Sequence, residues 1–197
     1  MELSAPSTEA REFERAKYVH CYVQKTYNYA MGPTRMIDAR EDLVWALERG
    51  AGSYLDIGCG RGEMLDYATE IGFHTASGAE VVPGLCEREG VSLMFVHDLH
   101  RCPDAAYSMV TSFDVIEHLL PDDDQLLVTQ MGRIARDCIA LTANNKDSID
   151  PTTKTQLHVN KRPYDEWDKL IRAWLSEWTV ERMTNKQYVS ETWRAWR

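Results

Sequence analysis

Two short clusters in this chain carry residue types that do chemistry. The first is Tyr54-Leu55-Asp56-Ile57-Gly58-Cys59-Gly60-Arg61-Gly62-Glu63, where three alternating glycines follow a short apolar run. Glycines at 58, 60 and 62 let the backbone turn sharply and keep Cβ atoms away from a ligand. The helical pattern from Glu63 to Ile71 adds the unpaired N–H groups of a helix N-terminus. Together they read as a nucleotide-binding turn at the carboxyl end of a first strand. It is not the dinucleotide form, because G-x-G-x-x-G needs a glycine where Glu63 stands. Asp56 is an unexpected acid in an apolar strand. Glu80 follows the glycines by about 20 residues, the distance at which such folds set a carboxylate against ribose hydroxyls. A carboxylate can accept both hydrogen bonds of a vicinal diol.

The second cluster is Asp114, Glu117 and His118, at i, i+3 and i+4 just past a predicted strand, where sites in parallel sheets lie. In one helical turn those positions share a face. Two carboxylates and an imidazole can hold a divalent metal, and the mixed N/O set favours Mn, Fe, Co or Zn over a purely hard site. His158, in Leu157-His158-Val159-Asn160, is a candidate fourth ligand. The other reading of His118 is a metal-free base facing an acceptor.

The run Leu55-Asp56-Ile57-Gly58-Cys59-Gly60-Arg61-Gly62 resembles motif I of the class I S-adenosylmethionine (SAM) methyltransferases. The resemblance implies an α/β, Rossmann-like fold, a mixed seven-stranded sheet with helices on both faces. It implies SAM as cofactor, held among Asp56, Gly58, Cys59, Gly60, Gly62, Glu80, Val81, Asp98, Leu99 and Phe113. In that family the glycine loop carries the methionine part, an acid near the strand's end helps hold its amino group, and an acid at Asp98 meets the adenine amino group. Asp114, Glu117 and His118 are similar to the acid-x-x-Glu-His run of the ubiquinone-biosynthesis O-methyltransferases. Together with His158 and Tyr164-Asp165-Glu166-Trp167 they also resemble the small-RNA 2′-O-methyltransferases, which carry Glu where this chain has the shorter Asp114. The metal implied is Mn, Co or Mg.

Several elements must position these groups. A weak helical pattern runs from Glu9 to about Gln24, with Phe13, Ala16, His20 and Val23 on one face. Tyr27-Asn28-Tyr29-Ala30-Met31-Gly32-Pro33 breaks it. A second helix runs from an N-cap at Thr34 to Arg49, with Met36, Leu43, Val44 and Leu47 inward and Gly50 at its stop. The resemblance implies that residues 1–50 are a helical cap or lid over a core of 51–197. Tyr27, Tyr29 and Met31 either line the site or pack as ordinary half-buried groups, and Arg35 is a candidate partner for the SAM carboxylate. Downstream, strands are expected at Phe73–Ala79, Val91–Val96, Tyr107–Phe113 and Cys138–Ala143, with a short helix beginning at Pro83. Pro121 and the acids Asp122 to Asp124 open a helix with Leu127, Met131 and Ile134 inward. After a polar loop from Asn144 to Gln156, Pro163 starts a helix whose Trp167, Leu170, Ile171, Trp174 and Leu175 read as core. Trp178–Met183 and Gln187–Trp193 read as a closing pair of strands.

Composition narrows the class. At 197 residues the chain is one domain with room for a full core. The net charge of −9 gives no general grip on nucleic acid. Five cysteines without a CxxC pair suit a reducing compartment. The first eight or so residues read as disordered, the acidic N-terminus has no apolar signal core, and no run approaches the roughly 18 apolar residues of a membrane span. A cytoplasmic protein, monomer or homodimer, is the expectation.

The reading that follows is methyl transfer to a hydroxyl of a small polar acceptor, a sugar or glycan fitting best. His118 would serve as base, or a metal on Asp114, Glu117, His118 and His158 would lower the hydroxyl pKa. An amine acceptor also suits a base. The rival readings are an RNA 2′-O-methyltransferase, whose basic patch would be Lys154, Lys161, Arg162 and Arg172, and a non-catalytic SAM-fold partner subunit.

Overall fold

The computed structural model describes residues 7–24, 33–184 and 190–197, without the side chains of 23–24 and 33–35. Two helices, α1 (Thr8–Gln24) and α2 (Pro33–Leu47), precede an alternation of β1 (Ser53–Ile57), α3 (Glu63–Ile71), β2 (Thr75–Glu80), β3 (Val91–Leu93), β4 (Tyr107–Ser112), α4 (Asp123–Ile134), β5 (Ala135–Asn144) and α5 (Tyr164–Trp174). The hairpin β6 (Thr179–Thr184) and β7 (Ser190–Trp196) closes the chain. The strands form one seven-stranded sheet in the order β3-β2-β1-β4-β5-β7-β6, with β7 antiparallel to β5 and to β6. The expected mixed sheet is thus present.

Strand order decides where a site can form. From β1 the chain crosses to β2 on one side, while β4 and β5 lie on the other. Connections leaving in opposite directions open a crevice beyond the carboxyl ends of β1 and β4. The glycine turn and the Asp114–His118 segment both start there. The sheet's two faces bury separate cores. Leu55, Ile57, Val110, Ile139 and Trp193 pack with Leu127, Met131 and Trp167 of α4 and α5. Tyr54, Met109 and Ala140 point the other way, against Leu43 of α2 and Met64 and Leu65 of α3. Alternation along each strand does this sorting.

Helix α3 spans the expected Glu63–Ile71, and Gly72 ends it with φ +115° and its N–H on the Ala68 and Thr69 carbonyls. Other expectations need correction. Phe13, on the predicted inner face of α1, is 63% exposed, and Ala16 and His20 are exposed too. The inward stripe is instead Glu14, Tyr18, Cys21 and Tyr22, of which Tyr18 meets His118 and the Leu157 carbonyl and Cys21 meets Asp150. Helix α2 begins at Pro33, so Thr34 lies inside it, and Val44 is 39% exposed, while Ala39, Leu43 and Ala46 face inward. No helix starts at Pro83: residues 81–90 run as bends and turns, with Gly84 and Gly90 at φ +70° and +85°. The third strand stops at Leu93, and a 3-10 helix (Val96–Arg101) follows. The last strand runs later than expected, from Ser190 to Trp196; residues 185–189, including Gln187, lie outside the described residues. Residues 1–6 of the expected disordered start also lie outside them, as do Tyr27, Tyr29 and Met31. No described helix is long and apolar enough to cross a membrane.

Candidate active site

The glycine turn is built on positive φ angles of +81°, +57° and +89° at Gly58, Gly60 and Gly62. The Gly58 and Cys59 N–H groups both reach the Ala79 carbonyl, at 2.8 and 3.2 Å, so the turn folds back over the end of β2. A Cβ on Gly58 would stand 2.3 Å from Cγ2 of Val115, because the loops after β1 and β4 touch there. A Cβ on Gly60 would meet nothing within 4 Å. Gly60 therefore borders open space, and Gly58 is needed for the loop contact.

Glu80, 6% exposed, ends β2 against this turn. Its carboxylate accepts N–H bonds from Gly60 at 2.9 Å, Val81 at 2.7 Å and Val82 at 3.0 Å. Burial raises its pKa, and the three amide bonds hold it down in part. Asp56, also buried, lies beside Thr111 in the β1–β4 register and accepts its hydroxyl bond at 2.7 Å; Thr111 in turn is 2.7 Å from the Tyr54 hydroxyl. The Cys59 sulfur fills the space over Gly78, where a Cβ would stand 2.6 Å from it. Burial and then the Asp56 charge push the Cys59 thiol far up, so it is no nucleophile.

One cleft joins these parts to the second cluster. It is lined by Ile57 and Gly58 at the end of β1, Glu80 and Val81 at the end of β2, Phe95 to His97, Asp114, Val115 and His118. Helix α1 forms its outer wall through Arg11, Glu14, Arg15, Tyr18 and Tyr22. Arg11 anchors that helix by a two-nitrogen contact with Asp123, at 3.0 and 2.8 Å. Arg15 lies over the Phe95 ring at 4.3 Å. Asp98 points its carboxylate at the Phe95 N–H, 3.1 Å away, and toward Arg101 at 3.5 Å, while Leu99 and Phe113 are core residues. Asp98, Leu99, Phe113, Asp56 and Cys59 are thus around the cleft but not on its lining. Arg35 sits in α2, with its side chain outside the description.

At the cleft's other end, His118 on the lining meets Glu117 and His158, which are buried and not on it; each of the three brings a ligand atom within 4.8 Å of the others. Glu117 and His118 lie in a 3-10 turn (Ile116–His118) after β4. His158 comes from the loop before α5, which docks on that turn through the Asn160 N–H on the Glu117 carbonyl at 3.0 Å. The two imidazoles meet edge to face with centroids 4.6 Å apart. Asp114 stands aside from the trio. Its φ is +53°, and its Oδ1 accepts from the hydroxyls of Ser190 at 3.1 Å and Thr142 at 3.3 Å.

Hydrogen bonding sets the tautomers. Nδ1 of His158 is 2.7 Å from the Lys146 carbonyl, which can only accept, so Nδ1 carries the proton. The Tyr18 hydroxyl gives its single proton to the Leu157 carbonyl at 2.8 Å and takes a bond from His118 Nδ1 at 2.7 Å. Both lone pairs are therefore on Nε2. Burial, then the neighbouring His158, lowers the His118 pKa to about 3, and burial likewise lowers that of His158. Glu117, fully buried, brings a carboxylate oxygen within 4.8 Å of a ring nitrogen of each imidazole. A carboxylate with two Nε2 lone pairs is a fitting donor set for a divalent cation such as Mn, Co, Fe or Zn.

Sequence reasoning missed Tyr18, although Glu14, Tyr18 and Cys21 keep the i, i+4, i+7 spacing of one helix face.

A family described as a methyltransferase domain matches residues 27–192. No curated protein matches the sequence. Among solved structures, the 1,6-didemethyltoxoflavin-N1-methyltransferase of Burkholderia thailandensis, with bound 1,6-didemethyltoxoflavin and S-adenosylhomocysteine, is similar over 100% of this chain and 93% of its own, at 16% identity and TM-score 0.74. The magnesium protoporphyrin IX methyltransferase of Synechocystis PCC 6803, with bound S-adenosylhomocysteine, covers 95% and 94% at 14% identity and TM-score 0.63. The methyltransferase domain of a bacterial CtHen1 covers 83% and 100% at 16% identity and TM-score 0.62. At these identities the likeness is one of fold.

Proposed function

The chain belongs to the methyltransferase-domain family, and from that premise we propose that it moves the methyl group of SAM to a hydroxyl of a small polar acceptor, a saccharide or another vicinal diol. The glycine turn, Glu80 and the cleft beside them support SAM as the cofactor, and the acceptor belongs at the His118 end. Glu80 would turn from its amide partners toward the ribose hydroxyls, Gly60 would leave room for the cofactor, and Arg15 on Phe95 would border the adenine.

The trio Glu117, His118 and His158 carries the acceptor assignment. Methyl transfer from a sulfonium is an in-line displacement, so the protein mainly positions the two reactants. A hydroxyl becomes a good nucleophile only when its proton leaves. An imidazole whose pKa is about 3 keeps a proton poorly near neutral pH, which argues against His118 acting alone as base. A divalent cation held by Glu117 and the Nε2 atoms of His118 and His158 would supply Lewis-acid polarisation of the acceptor hydroxyl. The chain's own groups would do the rest: α1 keeps water from the cleft, and Asp114 braces the loop by its bonds to Ser190 and Thr142.

The test is methyl transfer from labelled SAM to a panel of vicinal-diol saccharides, catechols and amines, with chelator and with added Mn2+. Transfer to a diol that chelator abolishes and Mn2+ restores is the expected result. Transfer only to amines, unaffected by chelator, would refute the acceptor and cation reading and leave the family assignment standing.

A further inference from the structure

Tyr18 is carried by α1, far in sequence from the chemical centre, yet it is the closer of the two partners of His118 Nδ1. Its hydroxyl oxygen is 2.7 Å from His118 Nδ1 and 2.8 Å from the Leu157 carbonyl. The ring also stands edge-on to the imidazole, with centroids 5.1 Å apart. The Leu157 carbonyl is a second and longer acceptor for Nδ1, at 3.2 Å. A phenol has one proton, and the carbonyl claims it, so the phenol oxygen meets Nδ1 as an acceptor.

We infer that Tyr18 is a positioning residue, holding His118 as the Nδ1–H tautomer with Nε2 aimed as the lone pair, and thereby making the chemical centre complete only when α1 lies on the cleft. The inference rests on the reading of Glu117, His118 and His158 as the cation-holding trio. A ligating histidine's other nitrogen is ordinarily oriented by an outer hydrogen-bond partner, which fixes tautomer and ring angle. For His158 that partner is the main chain of its own loop, at Lys146. For His118 the closer partner is a side chain on the cap. The same helix is pinned beside Tyr18 by Arg11 on Asp123, by Lys17 on the Gln156 carbonyl and by the Cys21 thiol on Asp150. Tyr18 is therefore held at the ring by three flanking contacts, and it moves if they part.

Side-chain 1H–15N correlation spectra of the chelator-treated full chain test this directly, with the His118 signal assigned through His118→Gln. The wild type should show His118 as Nδ1–H, and Tyr18→Phe should show a mixture of tautomers. A calorimetric titration with Mn2+ alone should show the variant binding about 10–100-fold more weakly. A wild-type ring found as Nε2–H overturns the inference, whether or not the variant folds. So does a Tyr18→Phe protein that is merely less stable, with tautomer and Mn2+ affinity unchanged, since that is what a purely structural tyrosine would do. If the wild type binds no Mn2+ at all, the cation reading fails, while the ring spectra still decide the role of Tyr18.

Discussion

The Glu80 carboxylate accepts the Gly60 N–H at 2.9 Å, so the acid at the end of β2 holds the middle of the glycine turn after β1. Two further amides, of Val81 and Val82, complete its grip. One side chain therefore shapes the turn and stands where a ribose acid is expected. Glu80→Ala should weaken SAM binding by about 1.5–3 kcal/mol through lost charge-assisted bonds. It should also lower Tm, because three amides lose their acceptor. Calorimetry with SAM and a thermal melt read the two effects separately, and unchanged affinity would remove Glu80 from the cofactor site.

Gly58 and Gly60 should behave differently on substitution. At both, a side chain meets the left-handed backbone cost of about 1–2 kcal/mol. Gly58→Ala adds a clash with Val115, whereas Gly60→Ala meets no protein atom. Gly58→Ala should be the less stable protein, and Val115→Ala should recover part of its loss. Gly60→Ala should fold well and bind SAM poorly. Equal melting temperatures for the two variants would contradict the loop contact.

The ligand trio separates from Asp114. Glu117→Gln and His158→Gln should each abolish Mn2+ binding in calorimetry while changing SAM affinity less than about twofold, because the cofactor end of the cleft rests on other residues. Asp114→Asn should keep Mn2+ affinity within roughly tenfold, short of the upper end for an outer partner, and lower stability through its bonds to Thr142 and Ser190. Loss of Mn2+ binding in Asp114→Asn as complete as in Glu117→Gln would return Asp114 to the ligand set.

Acid should unfold the chelator-treated protein partly through His118. Its pKa falls from 6.5 when unfolded to about 3 when folded. Between those values the unfolded chain binds a proton that the folded one refuses, so stability is full above about 6.5 and is lost as pH falls toward 3. The slope is at most about 1.4 kcal/mol per pH unit. His118→Gln should flatten it in melts recorded from neutral to acid pH, and an unchanged slope would count against the buried neutral imidazole. The activity profile should accordingly lack an ascending limb near 6.5 from His118.

Removing residues 1–33 tests the cap. Both sheet faces are covered without α1, so the truncated core should keep its secondary structure by circular dichroism. It should lose turnover, since the cleft loses its outer wall and His118 loses Tyr18. Full activity in the truncated protein would exclude the cap from function.

Local signals carried most of the fold. Asp56-Ile57-Gly58-Cys59-Gly60-Arg61-Gly62 announces a turn after a strand because only glycine takes those positive φ angles cheaply. The span of α3 and the Trp167–Ile171 stripe were legible because apolar spacing is a local property. The α1 face was not legible. Its inward groups Tyr18 and Cys21 are polar or small, and their partners Leu157 and Asp150 are distant in sequence.

By itself, then, the sequence determined the nucleotide-type turn, the placing of Glu80 at the end of β2 and the Glu117–His118 pair after β4, since each depends on spacing along one strand–loop unit. Tertiary structure alone decided that His158 and not Asp114 completes the trio, that Asp114 braces β5 and β7, and that Tyr18 sets the His118 tautomer. The reason is physical. Those outcomes rest on contacts between segments tens of residues or more apart, whose meeting depends on strand order and loop docking, and on burial strong enough to keep an imidazole neutral beside a carboxylate.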